Sequence, residues 1–281
     1  MTARFRARGV GAASFSPVLP LLLAALLAVP PADASAATVV LGAGKVSTLF
    51  QNQPGHSIGK GPATFIGGDA SGSPRRGLID FNLAASIPAG ATITDVQLTL
   101  FLAGVADGDT TPRQIDLHRI TADWAHGPTG LGVTQIDGTD QGFPAIAPSP
   151  TWYDRRYQQG QPWATPGGDF AATVSAAGVV GQAVGSAYSW SSPQMVADAQ
   201  AMLDAPSTNQ GWALLNTDEW SAGSYRIFYT QAWDDTALRP QLQVSYVLAA
   251  VPEPAGAALL AGGLVVIVIA LRRRMHMAEG S

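Results

Sequence analysis

The chain of 281 residues contains no cysteine. That excludes disulfides, cysteine nucleophiles and thiolate metal sites together. It also excludes a lipid-modified N-terminal cysteine, so an exported product has no lipoprotein anchor. Packing alone must hold the fold. Glutamate is scarce too: between Ala37 and Val251, sixteen of the seventeen acidic residues are Asp, and Glu219 is the other. Aspartate favours turns where glutamate favours helices, which places these acids in loops. The same region has only ten Lys and Arg, a formal charge of −7, and no basic stripe. Such a surface repels phosphate backbones and excludes nucleic acid as a partner.

Catalytic signatures are also missing. No G-x-S-x-G elbow occurs, and His56, His118 and His126 show no H-E-x-x-H pairing. His118 falls in a strand and reads as a structural or surface residue. Asp137-Gly138-Thr139-Asp140 and Asp107-Gly108-Asp109 offer oxygen ligands for Ca²⁺, but neither has the spacing of a known calcium loop. Turn chemistry accounts for both, so no metal and no cofactor is expected. Glycoside hydrolysis needs two carboxylates flanking the scissile bond. Abundant Asp makes such a pair by chance, so abundance carries no weight. A tyrosine- or histidine-based lyase acting on uronic acids has no recognisable motif either.

What is present is clearest at the two ends. Arg4, Arg6 and Arg8 lead into an apolar stretch from Val18 to Val29, followed by the small-x-small site Ala34-Ser35-Ala36. This is the pattern of a secretory signal peptide, residues 1–36, cut after Ala36. At the other end, Val251-Pro252-Glu253-Pro254 precedes an uncharged apolar run, residues 255–271, and Arg272-Arg273-Arg274 closes it. Seventeen residues of helix reach roughly 25 Å, slightly less than a hydrocarbon core of about 30 Å. Gly262-Gly263 suits a buried soluble helix poorly. Three arginines directly afterwards suit the cytoplasmic face of a membrane. A transmembrane helix over 255–271 is therefore expected.

The order Pro252-Glu253-Pro254, apolar run, Arg272-Arg273-Arg274 resembles the PEP-CTERM sorting segment of Gram-negative, polysaccharide-producing bacteria. The resemblance implies that an exosortase-type enzyme recognises the proline motif and cuts nearby. The body would then pass from a transient inner-membrane precursor to the cell surface or extracellular matrix.

Between the signals lie about 210 residues, enough for one generous β domain, 37–249. Val96, Leu98, Leu100 and Leu102 alternate with Gln97 and Thr99; Leu242, Val244, Tyr246 and Leu248 alternate with Gln243 and Ser245; Ile115 and Leu117 repeat the pattern. Turn signals such as Ile87-Pro88-Ala89-Gly90 separate such runs. The expected fold is all-β: an antiparallel β-sandwich or jelly roll with one short helix. Ser192 caps that helix, Pro193 occupies its first turn, and Met195, Val196, Ala199, Met202 and Leu203 form its apolar stripe before Ala205-Pro206 ends it. Residues 126–168, rich in Gly, Pro and aromatics, read as long loops.

Segments Arg75–Leu83, Ile87–Ile93, Leu117–Trp124, Trp163–Phe170, Asn209–Leu215 and Arg239–Leu242, in this order, resemble the DNRLRE family of secreted β-sandwich domains. Some members are similar to alginate-binding carbohydrate modules. The resemblance implies the fold and a leaning toward polysaccharide, and no catalytic residues. Ser224–Tyr229 stands where that family has an acidic or serine-containing stretch.

Aromatic residues are the remaining candidates for function. A pyranose presents C–H bonds on its face, which flat aromatic rings accept. Trp152-Tyr153-Asp154-Arg155-Arg156-Tyr157 combines such platforms with two guanidinium forks suited to uronate carboxylates. Trp152, Tyr153, Arg155 and Tyr157 are the candidate carbohydrate contacts; Trp152 also reads as a plug at the end of the sandwich. Trp124, Trp163 and Trp212 read as core, and Trp220 and Trp233 stay open. The expected role is structural or adhesive, with binding of an extracellular polysaccharide. The alternative is a secreted polysaccharide hydrolase or lyase.

Overall fold

The computed structural model describes residues 35–248, together with 262–265, 267–269 and 271–273. The chain divides into two units, of which the body is Ala34–Ala249. Its strands are β1 (Ala36–Gly42), β2 (Lys45–Phe50), β3 (His56–Ser57), β4 (Ala63–Gly68), β5 (Pro74–Asp80), β6 (Thr92–Val105), β7 (Arg113–Ile120), β8 (Phe143–Pro144), β9 (Asp154–Arg156), β10 (Gln161–Pro162), β11 (Phe170–Val180), β12 (Ala187–Trp190), β13 (Trp212–Asn216), β14 (Arg226–Tyr229) and β15 (Gln241–Val247). The helix α1 (Pro193–Asp204) lies between β12 and β13.

These strands form an antiparallel, sandwich-like all-β fold. Eleven of them make one curled sheet in the order β1-β15-β6-β14-β4-β5-β13-β7-β11, with β12 added on β6 and β2 on β5. The fourteen-residue β6 makes the curl possible. It pairs with β15 from Thr92 to Thr99 and with β14 from Leu102 to Val105, so one strand serves both halves of the sheet. The first and last strands of the body are neighbours, with Ala36 opposite Val247 and Gly42 opposite Gln241.

Period-two sequence becomes a half-buried strand because only one face meets the core. In β6, Val96, Leu98, Leu100 and Leu102 are buried, and Gln97 is exposed. They pack in one cluster with Leu242 and Val244 of β15 and with Ile79, Ile115, Leu117, Trp212 and Leu214 from β5, β7 and β13. Each such aliphatic side chain contributes about 1.5–3 kcal/mol relative to exposure. Met195, Ala199, Met202 and Leu203 of α1 join the same cluster. Ser192 caps α1 by accepting from the Met195 amide at 3.0 Å, with Pro193 in the first turn.

The part of the sheet built on β2, β5 and β13 is largely buried on both faces. Leu78 and Ala213, adjacent in sequence to Ile79 and Trp212, point the other way into a second cluster with Leu49, Ile120, Trp124, Trp152 and Trp163. The segment between β7 and β11 supplies the three tryptophans and thereby covers this face. It is less irregular than its composition suggests: β9 and β10 pair as a hairpin, and β8 pairs with β3. At Gly211, φ is +76°, and an added Cβ would stand 1.9 Å from the Ile79 carbonyl oxygen. Only glycine lets this turn lie against β5.

In the second unit, Met1–Asp33 with Ala250–Ser281, residues 262–265, 267–269 and 271–273 are helical and exposed. No helix among the described residues is long and apolar enough to cross a membrane. The expected span 255–271 lies partly outside those residues. Residues 1–34 of the expected signal peptide, including Ala34, and Pro252, Glu253, Pro254 and Arg274 lie wholly outside them.

Candidate functional site

The candidate loop begins with a side chain turned inward. Trp152 is 7% exposed and packs with Leu49, Leu78, Trp124 and Trp163. Its ring faces the Arg76 guanidinium at 5.1 Å, and its carbonyl accepts from the Gly167 amide at 2.7 Å. It is the plug of this end and presents no open face to a ligand. Trp124 and Trp163 are likewise buried, anchored through indole N–H donation to the carbonyls of Gln210 and Thr151 at 2.9 Å each. Trp212 is buried in the principal cluster.

One residue on, the chain turns outward. Tyr153 is 54% exposed, while its carbonyl accepts from the Trp163 amide at 2.9 Å. The backbone is therefore fixed and the ring is free. β9 follows, and its partner β10 closes a hairpin with Gln158 at φ +57° and Gly160 at φ +63°. The Arg155 carbonyl accepts from Ala125, and the Tyr157 amide donates to the Ser149 carbonyl, which pins the hairpin to the body on both sides. Tyr157 is half-buried.

The two arginines share one carboxylate. Arg156 donates to Asp123 Oδ2 through Nε at 3.1 Å and Nη2 at 2.8 Å. Arg155 donates through Nη1 to Asp123 Oδ1. The sequence offers two free forks; the structure has both engaged by Asp123. Each still has unused N–H groups, and the Asp123 side chain is 46% exposed, so the cluster faces solvent with a local charge of +1. Asp123 lies thirty-two and thirty-three positions from its partners, and no local pattern announces it.

Arg76 and Arg226 are likewise held by carboxylates. Arg76 is bidentate to Glu219, at 3.0 and 2.7 Å, and donates to the Gly167 carbonyl at 3.1 Å. Arg226 is fully buried; it binds Asp109 Oδ2 at 2.8 Å and the carbonyls of Gly181, Tyr225 and Thr111. Asp109 also binds Arg113 through both oxygens. Burial alone would raise the Asp109 pKa, but the bonds from Arg113 and Arg226 outweigh it and hold the carboxyl well below the usual range. The Asp107-Gly108-Asp109 turn is thus an arginine clamp. Thr139 closes the other candidate turn by donating to the Ile136 carbonyl at 2.6 Å. Asp107, Asp137 and Asp140 line a groove of about 680 Å³ beside Tyr225 and Trp233. Among the described residues no group of three or more His, Asp or Glu is placed to hold a metal ion.

Of the histidines, His118 on β7 bonds the Ala171 carbonyl through Nδ1 at 2.9 Å, with its ring 5.5 Å from that of Phe170. Trp220 is 66% exposed, and Trp233 stacks on Tyr229 at 4.7 Å. Ala36 is the exposed first residue of β1; Arg272 and Arg273 are exposed. Comparison with protein-family models and with curated proteins finds no match to this chain.

Proposed function

We propose that this is an exported structural or adhesive protein that binds a polysaccharide at the β9–β10 hairpin without turning it over. One observation carries the binding reading. The hairpin carries an exposed aromatic ring, Tyr153, two and three positions before two guanidinium groups oriented by a shared, solvent-facing carboxylate. A rigid backbone beneath a free ring lowers the entropy lost on binding. The paired guanidinium groups suit a uronate carboxylate, which would share or replace Asp123. Arg155 and Tyr153 are the direct contacts in this reading, Tyr157 flanks them and Trp152 supports them from below.

The destination rests on the two ends of the sequence. A leader of residues 1–36, the Pro252-Glu253-Pro254 motif, an apolar 255–271 anchor and Arg272–Arg274 support export, transient inner-membrane residence and exosortase-type release to the cell surface or matrix. The segment order that resembles DNRLRE domains supports a jelly-roll form of the sandwich and the same leaning toward acidic glycans.

The decisive experiment exposes the body to an array of acidic and neutral glycans and follows it with reducing-end and unsaturated-uronate assays. Saturable binding of acidic glycans, weakened by Tyr153→Ala or Arg155→Ala at unchanged melting temperature, is the expected result. Turnover would replace this reading with a hydrolase or lyase. Silence on every glycan would leave a purely structural protein.

A further inference from the structure

Three segments far apart in sequence, around Arg76, Thr121 and Thr165–Phe170, meet at one cleft of about 600 Å³. This lies within the ordinary range for small-ligand sites. Its back is closed where the Thr121 amide donates to the Asp169 carbonyl at 3.0 Å. One wall is locked: Asp169 accepts from the amides of Ala164 and Thr165, both at 2.9 Å. Phe170 and Arg76 contribute the apolar and cationic surfaces, and the guanidinium sits 5.5 Å from the Phe170 ring and 5.1 Å from that of Trp152. Glu219 fixes this stack through two hydrogen bonds to Arg76. The hydroxyls of Thr121 and Thr165 have no hydrogen-bond partner among the described residues and are free for a ligand.

The inventory is specific. A partly exposed aromatic ring, already flanked by Arg76 and His118, offers apolar surface for C–H bonds, a carboxylate accepts from hydroxyls, two threonine hydroxyls donate or accept, and a guanidinium donates. That set matches a pyranose, with its apolar face and ring of hydroxyls, better than a metal ion or a purely apolar ligand. The cleft is also close to the hairpin. Ala122 lines it, and the next residue, Asp123, holds Arg155 and Arg156.

We infer that this cleft is a second subsite, taking one pyranose ring of the same acidic chain whose carboxylate reaches the Arg155–Arg156 pair. The inference rests on the glycan reading above and extends it from a surface platform to a groove at least two sugar units long. Binding should then depend on chain length, because a single uronate cannot fill both places.

The test titrates the full chain with uronic acid monomer, with tri- and hexa-uronates, and with a neutral hexasaccharide, using calorimetry. Thr165 and Ala164 are exposed, so Thr165→Trp and Ala164→Tyr fill the cleft from its rim without touching the core; a melting curve confirms that each variant is folded. The expected result is affinity that rises from monomer to oligomer, lost by about tenfold or more in both variants. If both bind as the native protein does while Tyr153→Ala weakens binding, the cleft inference fails and the hairpin reading stands. If neither cleft nor hairpin variants change the affinity, the glycan sits elsewhere and both assignments fall. No binding by any oligomer removes the glycan reading itself.

Discussion

Asp109 shows how much one side chain can hold. It pairs with both Arg226, which is completely buried, and Arg113, and its own side chain is 6% exposed. Asp109→Ala leaves the Arg226 guanidinium uncompensated in the interior, which costs about 3–5 kcal/mol for a buried pair broken on one side. A chemical-denaturation midpoint well below that of the native protein is expected, whereas exposed Asp137→Ala should leave it unchanged. His126 supplies the pH dependence. Burial is the largest influence on it and lowers its pKa below 6.5; Lys60 and Lys45 push the same way, against the hydrogen bond to the Gly59 carbonyl. The unfolded chain therefore takes up a proton at a pH where the folded protein does not. Stability is full above the unfolded pKa and falls as pH drops through it toward the folded value. Melting temperatures of His126→Gln between pH 7.5 and 5 should fall less steeply than those of the native protein; parallel slopes would assign the acid sensitivity elsewhere.

At the scale of elements, α1 is the one whose sequence signals agree most fully. Ser192, Pro193 and the apolar stripe all sit where helix rules put them, and the helix runs Pro193–Asp204. The Ser192 hydroxyl caps Met195 and also donates to the Ser175 carbonyl of β11. Ser192→Ala is therefore expected to cost at least the roughly 1 kcal/mol of a lost N-cap, measured by denaturant titration, with Ser192→Thr recovering most of it. The strands β6, β7 and β15 were legible for an equally plain reason: one face is wet, so polarity alternates. β4 was not, because all six of its residues are buried and no alternation survives. Nor was β11, whose register slips between Phe170 and Val174 and again before Ala176, breaking any period. The β9–β10 hairpin hid for another reason. Its inward residues, Trp152 and Trp163, flank the paired segment and leave the paired residues polar.

For the molecule as a whole, the candidate contacts were readable as residue types but not as an arrangement. That Trp152 faces inward and Tyr153 outward depends on a sheet face supplied by Leu49, Leu78 and Ala213, far off in sequence. The sharing of Asp123 between two arginines depends on the same long-range closure. The signals expected at the two ends would carry their information locally, since peptidases and membranes read short segments. The mature protein isolated from its source should accordingly begin near Ala37 and end near Pro254. Intact mass spectrometry decides this: a C-terminus retaining Arg272 and Arg273 would make the segment a permanent anchor and remove the release step.

The position of β15 between β1 and β6 has a mechanical consequence. From Gln241 to Val247 it is gripped on both sides, by β1 and by the first half of β6. Its C-terminal end is where the chain leaves the body toward Pro252-Glu253-Pro254. Tension applied there along the strand loads two ladders in shear, so many hydrogen bonds must yield together instead of parting one after another. A load applied at that end and resisted by the rest of the body would therefore meet both ladders at once.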